Sequence, residues 1–276
     1  MIPLPVILIT GVNGLIGWNL FRRARKTYSA VATYRKGHPC FDEVCFRRVD
    51  LDSEEEIREL LVEIQPDYII HSRAICDLDV CEENPEMAHQ INVEGTAKLV
   101  RAMQGLKRKP RVFVYLSTDH VFFGDRGQYT EHDRPDPKHV YGRTKRDAEN
   151  IILALDSPVL MIRPGLVVGD SLQGNKGPRD FLFSRIRARK PIHYFTDEWR
   201  SPISAGDLAE RIFRLIETGH KGIFHVAGDE IYSRYDLALK LALENGLPTD
   251  MIFPRLRSED RWAHIRPEKL TLKSVR

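Results

Sequence analysis

The sequence predicts an α/β fold, and two observations support this. Apolar, β-branched runs alternate with amphipathic segments through about the first 165 residues, a pattern typical of parallel strands that are buried on both faces and joined by helices. A glycine-rich turn follows the first apolar run, where such sheets commonly bind a nucleotide. We therefore expect a Rossmann-like doubly wound parallel sheet in residues 1–165. A smaller C-terminal α/β substrate-binding region is expected in 166–276, with part of 200–226 returning to the first domain.

Strands and helices are expected to alternate in the first domain. The strands cover 6–10, 30–34, 46–49, 68–71, 112–116 and 159–163, and the helices cover 15–26, roughly 57–64, 84–103 and 141–155. Asn84-Pro85 is typical of a helix start, with Asn84 as the N-cap and proline in the first turn. The long helix that follows carries apolar residues at the spacing of one face.

Beyond residue 165 the alternation loosens, because glycine, proline and charged residues concentrate in 169–180. This composition is typical of a loop or lid that covers substrate. Helices are expected at 207–217 and 235–244, a strand at 222–226 and a last strand within 270–276.

The charge balance argues against a protein that binds nucleic acid or membrane. The chain has 276 residues, with 42 Lys and Arg against 39 Asp and Glu, a net charge of +3 and an isoelectric point of about 8.6. This excess is too small for a nucleic-acid-binding surface, and no apolar run has membrane-spanning length. The N-terminus carries no basic leader region, so we expect a cytoplasmic protein.

The four cysteines are spaced as Cys40-x4-Cys45 and Cys76-x4-Cys81. That spacing fits neither a zinc ribbon nor a C-x-x-C redox pair, and free thiols are the default in a reducing compartment. His38 lies close to Cys40, but this pair lacks the second half of a ligand set. We therefore expect no metal site.

The glycine-rich turn has the features of a phosphate-binding loop. It follows a predicted strand and opens a predicted helix. Glycine permits a tight turn and a close approach of backbone to a pyrophosphate, which the helix N-terminus attracts through its unpaired N–H groups. The predicted cofactor contacts in this turn are Gly11, Asn13, Gly14, Leu15, Ile16 and Gly17.

The end of the second strand favours NADP(H) over NAD(H). Arg35 and Lys36 stand where an NAD-preferring site usually has an acid for the ribose hydroxyls, and two cations would attract a 2′-phosphate. The alternative is that both are simply exposed loop residues, so NAD(H) stays open.

Further cofactor contacts are expected after the third and fourth strands, because ligands of such sheets bind beyond the carboxyl ends of the strands. Asp50 would either bind the adenine amino group or simply belong to an acidic loop before a helix. Arg73 would either contact a phosphate or only cover the edge of the sheet. The predicted contacts here are Asp50, Leu51, Ser72, Arg73 and Ala74, with Asn92 from the next helix.

A tyrosine and a lysine four residues apart suit proton transfer to a carbonyl group. Tyr141 and Lys145 lie on one face if they share a helix. A free tyrosine has a pKa of roughly 10, and a nearby ammonium would stabilise its phenolate and allow acid–base catalysis near neutral pH. The alternative is two ordinary surface residues of a helix, and only the surrounding motifs favour catalysis.

Several short motifs follow one another along nearly the whole chain. They are T-G-x-x-G-x-x-G from Thr10, S-T-D-H-V-F-F-G from Ser117, V-Y-G-x-T-K from Val140 with Glu149 following, Arg163-Pro164, Ser201-Pro202-Ile203, G-D-L-A from Gly206 and Arg266-Pro267. Together they resemble the extended short-chain dehydrogenase/reductase superfamily, and within it most of all the dTDP-4-dehydrorhamnose reductase family. The resemblance implies NADPH-dependent reduction of the C4 keto group of a nucleotide-linked 4-keto-6-deoxysugar.

The resemblance also implies a role for each matched residue. Thr118 would hydrogen-bond the sugar carbonyl and Tyr141 would donate the proton. Lys145 would bind the nicotinamide ribose and lower the pKa of the tyrosine. The implied catalytic set is thus Thr118, Tyr141 and Lys145, and the implied substrate-binding set is Thr118, Asp119, His120, Trp199 and Arg200.

At the substrate end the chain departs from the pattern of that family. His120 stands where a tyrosine is usual after the Thr-Asp pair, and Phe123 stands where an acid is usual. Two roles are open for His120, which would either assist proton transfer or only pack and form hydrogen bonds. Two are also open for Asp119, which would either bind a sugar hydroxyl or cap the turn. Arg200 is expected to bind a diphosphate, and Trp199 to stack on a nucleobase or to fill the cleft.

Two other functions stay open. An epimerase or dehydratase of the same superfamily would hold NAD tightly, but such dehydratases usually need an Asp-Glu pair where this chain has Asp119-His120. The chain also resembles the methionine adenosyltransferase regulatory β subunit, so a cofactor-binding subunit without turnover is the second alternative. The predicted partner is a nucleotide-sugar substrate, and a homodimer is a further expectation because these folds often pair through surface helices.

Overall fold

A seven-stranded parallel sheet forms the centre of the molecule, for which the computed structural model describes residues 3–35 and 45–276. In spatial order its strands are Gly222–Val226 (β11), Val159–Pro164 (β6), Val112–Leu116 (β5), Tyr68–His71 (β4), Val6–Thr10 (β1), Ser29–Tyr34 (β2) and Phe46–Arg48 (β3). The predicted doubly wound parallel sheet is therefore confirmed. Chain order reverses between β1 and β4, and such a reversal opens a ligand crevice at the carboxyl edge.

Helices cover both faces of the sheet. They are Leu15–Ala24 (α1), Glu54–Ile64 (α2), Leu78–Glu83 (α3), Pro85–His89 (α4), Gly95–Gln104 (α5), Val140–Leu153 (α6), Pro178–Arg187 (α7), Ala205–Glu217 (α8) and Arg234–Glu244 (α9). α1 and α8 pack on one face, and α2, α5 and α6 pack on the other. In β1, Ile7 and Ile9 belong to the first apolar layer and Leu8 to the second, as the alternation of side chains along a strand requires.

The start of α2 shows how local sequence sets a helix boundary. The Ser53 hydroxyl oxygen accepts a hydrogen bond from the Glu56 N–H at 3.3 Å, and the Glu56 carboxylate accepts one from the Asp50 N–H at 2.9 Å. The helix ends where Gln65 takes a left-handed conformation, with φ +45°. These contacts fix the loop after β3, which carries Asp50.

The long helix predicted over 84–103 is confirmed, but its middle is not α-helical. It begins at Pro85 and ends at Gln104, but Gln90–Glu94 forms a π-helical turn between α4 and α5. Asn84 precedes α4 without making a side-chain cap. A π turn often marks a functional position, and this one carries the buried Asn92.

The C-terminal region is built from short strands and two helices. The strands are Val167–Val168 (β7), Ile192–Phe195 (β8), Trp199–Arg200 (β9), Ile203–Ser204 (β10), Tyr232–Ser233 (β12), Ile252–Arg255 (β13) and Lys269–Leu270 (β14). They form three small sheets, which pair β10 with β7, β12 and β14 with β9, and β13 with β8. α7 and α9 enclose a separate apolar cluster that includes Leu182, Phe183 and Ala242.

The strand predicted within 270–276 is wrong beyond Leu270. Leu272 makes only an isolated bridge with Tyr129. The following residues turn towards a buried carboxylate, because the Ser274 hydroxyl and the Val275 N–H donate to Glu131 at 2.8 and 3.0 Å.

The loop over 169–180 is held together by one acid. The Asp180 carboxylate accepts hydrogen bonds from the Ser171 hydroxyl at 2.5 Å and from the Lys176 N–H at 3.1 Å. The loop packs against the beginning of α1, since a Cβ at Gly177 would lie 2.7 Å from a methyl carbon of Leu15. It therefore lies beside the glycine turn. Its role as a lid stays a prediction.

Within residues 3–35 and 45–276, no helix combines the length and apolar character needed to cross a membrane. The same residues contain no cluster of His, Cys, Asp and Glu side chains that could hold a metal ion. Cys76 and Cys81 are free thiols. Cys40 and His38 lie outside the described residues.

Candidate active site

The glycine turn joins β1 to α1 and brings two stretches of backbone into close contact. Gly11 has φ +78°, a conformation that favours glycine. A Cβ at Gly17 would lie 2.3 Å from the Gly11 carbonyl oxygen, so a side chain there would force α1 away from the turn. No side chain caps α1 at Gly14, which suits the binding of a pyrophosphate to its first N–H groups.

The other predicted cofactor contacts of this turn are Asn13, Leu15 and Ile16, and their side chains differ in burial. Leu15 is buried in the first apolar layer and Ile16 packs against it, so both offer backbone rather than side chain to a ligand. Asn13 is half-buried in the turn itself. The cradle shape of the turn therefore fits a dinucleotide.

Two arginines share acidic partners at the adenosine end of the crevice. Arg35 lies 3.4 Å from the Asp50 carboxylate and 3.2 Å from the Asp52 carboxylate, with 46% of its side chain exposed. Arg73 donates to the other oxygen of Asp52 at 3.0 Å and is mostly buried. Arg35 is thus accessible to a ligand, whereas Arg73 is fixed. Lys36 lies outside the described residues.

Arg73 lies against the start of α5. Its Nη1 donates to the Ile91 carbonyl at 3.4 Å, and a Cβ at Gly95 would lie 2.6 Å from the same nitrogen. Gly95 therefore makes room for the guanidinium. Because Asp52 and Ile91 hold this group, Arg73 forms part of the wall of the adenosine end.

The remaining predicted cofactor residues mostly support the crevice. The Ser72 hydroxyl donates to the Thr10 carbonyl at 2.5 Å, Ala74 is half-buried in the same loop, and Leu51 is buried in the second apolar layer. The Asn92 amide bonds both backbone groups of Ile75, at 2.9 and 3.0 Å, and the Thr144 hydroxyl at 3.0 Å. The Asn92 side chain thus ties the loop after β4 to α6, a role that the sequence does not predict.

The three predicted catalytic residues come together where β5 ends and α6 begins. Thr118 follows β5 and Tyr141 lies in the first turn of α6. Both side chains are buried, and the Thr118 hydroxyl is near enough to Tyr141 to act on the pKa of its phenol. α6 packs directly on the loop after β5, since a Cβ at Gly142 would lie 2.2 Å from the His120 carbonyl oxygen.

The electrostatics of Tyr141 differ from the sequence-based prediction. Burial raises the pKa of Tyr141 well above its usual value, Cys76 and Asp119 add to the rise, and the Thr118 hydrogen bond opposes it. The predicted lowering by Lys145 is wrong for this state, because Lys145 is not among the main causes of the shift. The Lys145 ammonium instead donates to the Leu116 carbonyl at 2.6 Å. The phenol is therefore protonated near neutral pH.

Lys145 is itself buried beside β5. Its Nζ lies 4.2 Å from the centre of the Tyr115 ring. Burial lowers the pKa of Lys145 to about 7, while Glu149 and Cys76 act to raise it. A lysine with such a pKa can exchange a proton near neutral pH.

A buried ion pair lies one helical turn beyond the lysine. The Arg163 Nε and Nη2 atoms donate to the two carboxylate oxygens of Glu149 at 2.9 and 2.7 Å, and both side chains are only 2% exposed. The Ser117 hydroxyl also donates to Glu149. The sequence contains one signal of this pair, because Tyr141, Lys145 and Glu149 recur every four residues and so share a helix face.

Arg200 does not have the free guanidinium that a diphosphate ligand needs. Its Nη2 lies 2.6 Å from the Asp119 carboxylate and its Nη1 lies 3.3 Å from Glu198, and its side chain is 4% exposed. Asp119 also accepts a hydrogen bond from the Thr118 hydroxyl at 3.2 Å. Arg200 therefore links β9 of the C-terminal region to the catalytic loop. The sequence cannot show a partner that is 81 residues away.

Two histidines and a tryptophan complete the substrate side. His120 Nδ1 lies 2.9 Å from His139 Nε2, and the His120 ring meets the Tyr141 ring edge-on at 5.8 Å between centroids. The sequence-based prediction omits His139, although its place two residues before Tyr141 suits the N-cap of α6. Trp199 is 37% exposed, so its ring is open to a ligand.

This arrangement can bind a dinucleotide and donate a proton beside it. The glycine turn, the buried threonine and tyrosine, and the buried lysine all lie at the carboxyl edge of the sheet. The fold and the family match place the chain in the extended short-chain dehydrogenase/reductase superfamily, whose reductases it resembles. Residues 6–274 match the family model described as the RmlD substrate binding domain, and the chain belongs to this family.

Known relatives include both an enzyme and a subunit of an enzyme. One relative is the probable low-salt glycan biosynthesis reductase Agl14 of Haloferax volcanii. The two sequences are 32% identical, and the match covers 84% of this chain and 78% of Agl14. Another relative is methionine adenosyltransferase 2 subunit beta of Rattus norvegicus. The two sequences are 28% identical, and the match covers 92% of this chain and 76% of the subunit. Among solved structures, the dTDP-4-dehydrorhamnose reductase of Bacillus anthracis in complex with NADP matches with a TM-score of 0.83 and 26% identity, covering 98% of this chain and 90% of that one.

Proposed function

We propose that this protein is an NADPH-dependent reductase of a nucleotide-linked 4-keto-6-deoxysugar, similar to dTDP-4-dehydrorhamnose. The observation that carries the proposal is that Thr118 and Tyr141 are buried next to each other at the carboxyl edge of the sheet, where Thr118 acts on the pKa of the Tyr141 phenol. Two hydroxyl groups on a shared edge can bind one carbonyl oxygen. The similarity to reductases of the same family supports this choice of reaction.

The cofactor would occupy the crevice between the glycine turn and the catalytic loop. Gly11, Gly14 and Gly17 would admit its pyrophosphate, and Arg35 would bind a 2′-phosphate. NADP in the Bacillus anthracis reductase supports this preference, and NAD(H) is the alternative. When bound, NADPH would supply hydride to C4 of the sugar.

Tyr141 would act as the proton donor. Its raised pKa keeps the phenol protonated, which is the form needed to deliver a proton to the oxygen of a ketone as C4 gains hydride. Thr118 would donate a second hydrogen bond to that oxygen. Lys145, with a pKa of about 7, would return a proton to the tyrosine after each turnover.

The sugar and its nucleotide would lie towards the C-terminal region. The Arg200 contact holds Asp119 beside Thr118, where a free lone pair of the carboxylate would accept a sugar hydroxyl. The exposed Trp199 would stack on the nucleobase. The free thiols of Cys76 and Cys81 fit a reducing compartment, and we propose a reaction in the cytoplasm.

The test is ketosugar-dependent oxidation of NADPH, followed by its absorbance. A panel would contain dTDP- and UDP-linked 4-keto-6-deoxysugars, each with NADPH and with NADH. We expect turnover with at least one ketosugar and conversion of its C4 carbonyl to an alcohol. Binding of NADPH without oxidation by any member of the panel would contradict the proposal.

The similarity to methionine adenosyltransferase 2 subunit beta favours one second candidate, a subunit that binds cofactor without turnover. An intact site does not exclude this role, because a subunit can retain the fold and its side chains. Stable co-purification with a methionine adenosyltransferase catalytic chain, together with no ketosugar reduction, would select it over the reductase.

A further inference from the structure

The two histidines beside Tyr141 form a hydrogen-bonded pair of fixed polarity. The Gly142 N–H donates to His139 Nδ1 at 3.0 Å. The other nitrogen of the same ring, His139 Nε2, lies 2.9 Å from His120 Nδ1. The chain of contacts therefore runs from the backbone of α6 through His139 to His120.

The backbone donor decides where each proton lies. A backbone N–H only donates, so His139 Nδ1 must carry a lone pair. A neutral His139 then has its proton on Nε2 and donates it to His120 Nδ1. His120 Nδ1 must accept, and the proton of a neutral His120 consequently lies on Nε2.

Charge on either ring would break this arrangement. Protonating His120 at Nδ1 would direct an N–H at the N–H of His139. Burial is the largest cause of a lowered pKa in both histidines, to about 3 for His139 and well below the usual value for His120, and nearby Arg200 and Arg266 act in the same direction. Both rings are therefore neutral near pH 7.

The free end of the pair belongs to the ring that packs against Tyr141. Among residues 3–35 and 45–276, His120 Nε2 has no hydrogen-bond partner, and the His120 side chain is partly exposed. Its ring is 5.8 Å from that of Tyr141. Positive charges on Arg200, Arg234 and Arg266 act on the same ring.

We propose that His139 fixes His120 as the Nε2–H tautomer, and that His120 uses this N–H to hold an acceptor oxygen of the substrate beside Tyr141. The substrate contact rests on the reductase function proposed above. A neutral N–H donor accepts nothing from an ammonium group, so this position favours a hydroxyl or carbonyl oxygen. The pair thus selects hydroxylated ketosugars over amino ketosugars and makes His139 a positioning residue.

The tautomers can be measured without substrate. Two-bond 1H–15N correlation spectra of 15N-labelled protein distinguish Nδ1–H from Nε2–H imidazoles. We expect Nε2–H for both histidines, and no titration of His120 near pH 6.5. In His139→Asn, the asparagine retains the N-cap of α6 but is too short to reach His120, so the His120 signals should shift towards a mixture of tautomers.

The exposed His132 provides a matched control, because it lies outside the pair. His132→Asn should leave both tautomers unchanged. An Nδ1–H form of His120 in the unmodified protein, or unchanged His120 signals in His139→Asn, would overturn the proposed fixing of the tautomer.

Kinetics test the substrate contact. His120→Leu should raise the KM for a hydroxylated ketosugar about five- to tenfold, the scale of one lost hydrogen bond, while NADPH affinity stays unchanged. His120→Gln, whose amide N–H has a similar reach, should restore most of this loss. An unchanged KM in His120→Leu, or an equal change with an amino ketosugar, would overturn the contact.

The two failures are distinguishable. If the unmodified protein reduces no ketosugar, the proposed function fails and the substrate contact fails with it, while the spectra still report the tautomers. If turnover is present but His120 is not an Nε2–H donor, only the present inference fails.

Discussion

The catalytic end and the adenosine end of the crevice use charged residues in opposite ways. At the catalytic end Arg163 and Glu149 are 2% exposed and bonded at two positions. At the adenosine end Arg35 is 46% exposed and reaches its two acids at 3.2 and 3.4 Å. A buried ion pair keeps one geometry, because moving one partner leaves the other charge buried without a counter-charge, which is strongly destabilising. Exposed charges can exchange partners at little cost, and a ligand phosphate can therefore replace a carboxylate.

The largest expected effect lies at the catalytic end. Tyr141→Phe should lower kcat at least about 100-fold, the usual scale for loss of a general acid, because no proton can then reach the ketone oxygen. NADPH affinity, measured by calorimetry, should stay within about twofold of the unmodified protein. Unchanged turnover would remove Tyr141 from the mechanism.

Removing a buried ion pair should destabilise the protein much more than removing an exposed one. Arg163→Met leaves the Glu149 carboxylate buried without its cation and should lower the free energy of unfolding by about 3–5 kcal/mol, measured by urea denaturation. The control is Arg101→Ala, which removes a pair with Glu54 on the surface and should cost less than about 1 kcal/mol. Similar losses in both variants would contradict the comparison.

The glycine turn should respond to a single methyl group. In Gly17→Ala the new Cβ would approach the Gly11 carbonyl oxygen to 2.3 Å, so we expect a loss of about 1–3 kcal/mol in stability together with weaker NADPH binding. Gly206→Ala is the matched control, since the nearest atom to its Cβ is 3.8 Å away. Normal NADPH affinity in Gly17→Ala would show that the turn does not hold the pyrophosphate.

The smallest expected effect concerns cofactor choice. Arg35→Ala should raise the KM for NADPH about tenfold, equivalent to about 1.4 kcal/mol, and leave the KM for NADH nearly unchanged. Arg58→Ala, which removes an exposed arginine from α2, should change neither value. A parallel change with both cofactors would contradict the 2′-phosphate contact.

The strands of the large sheet are predictable because their signal is local. The predicted strand at 6–10 matches β1 and that at 222–226 matches β11, since a short, mainly apolar stretch of sequence determines both. The π turn over Gln90–Glu94 could not be predicted. The turn carries Asn92, whose three hydrogen bonds reach Ile75 and Thr144, 17 and 52 residues away along the chain, and no local spacing reveals such partners.

The residues of the site also fall into a group that local sequence predicts and a group that it does not. Tyr141 and Lys145 are predictable because their spacing lies within one helix. The partners of Asp119 and His120 are not, because Arg200 and His139 approach them through the folded chain over separations of 81 and 19 residues. The direction of the Tyr141 pKa shift also depends on burial, which no local spacing reveals.

The most direct test of the central claim follows the transferred atom. The protein would be incubated with a nucleotide-linked 4-keto-6-deoxysugar and NADPH that carries deuterium at the transferable position of the nicotinamide, and the product would be analysed by mass spectrometry and NMR. We predict one deuterium at C4 of the sugar, and none from the same amount of Tyr141→Phe protein in the same time. NADPH binding with no deuterium in the sugar would contradict the account.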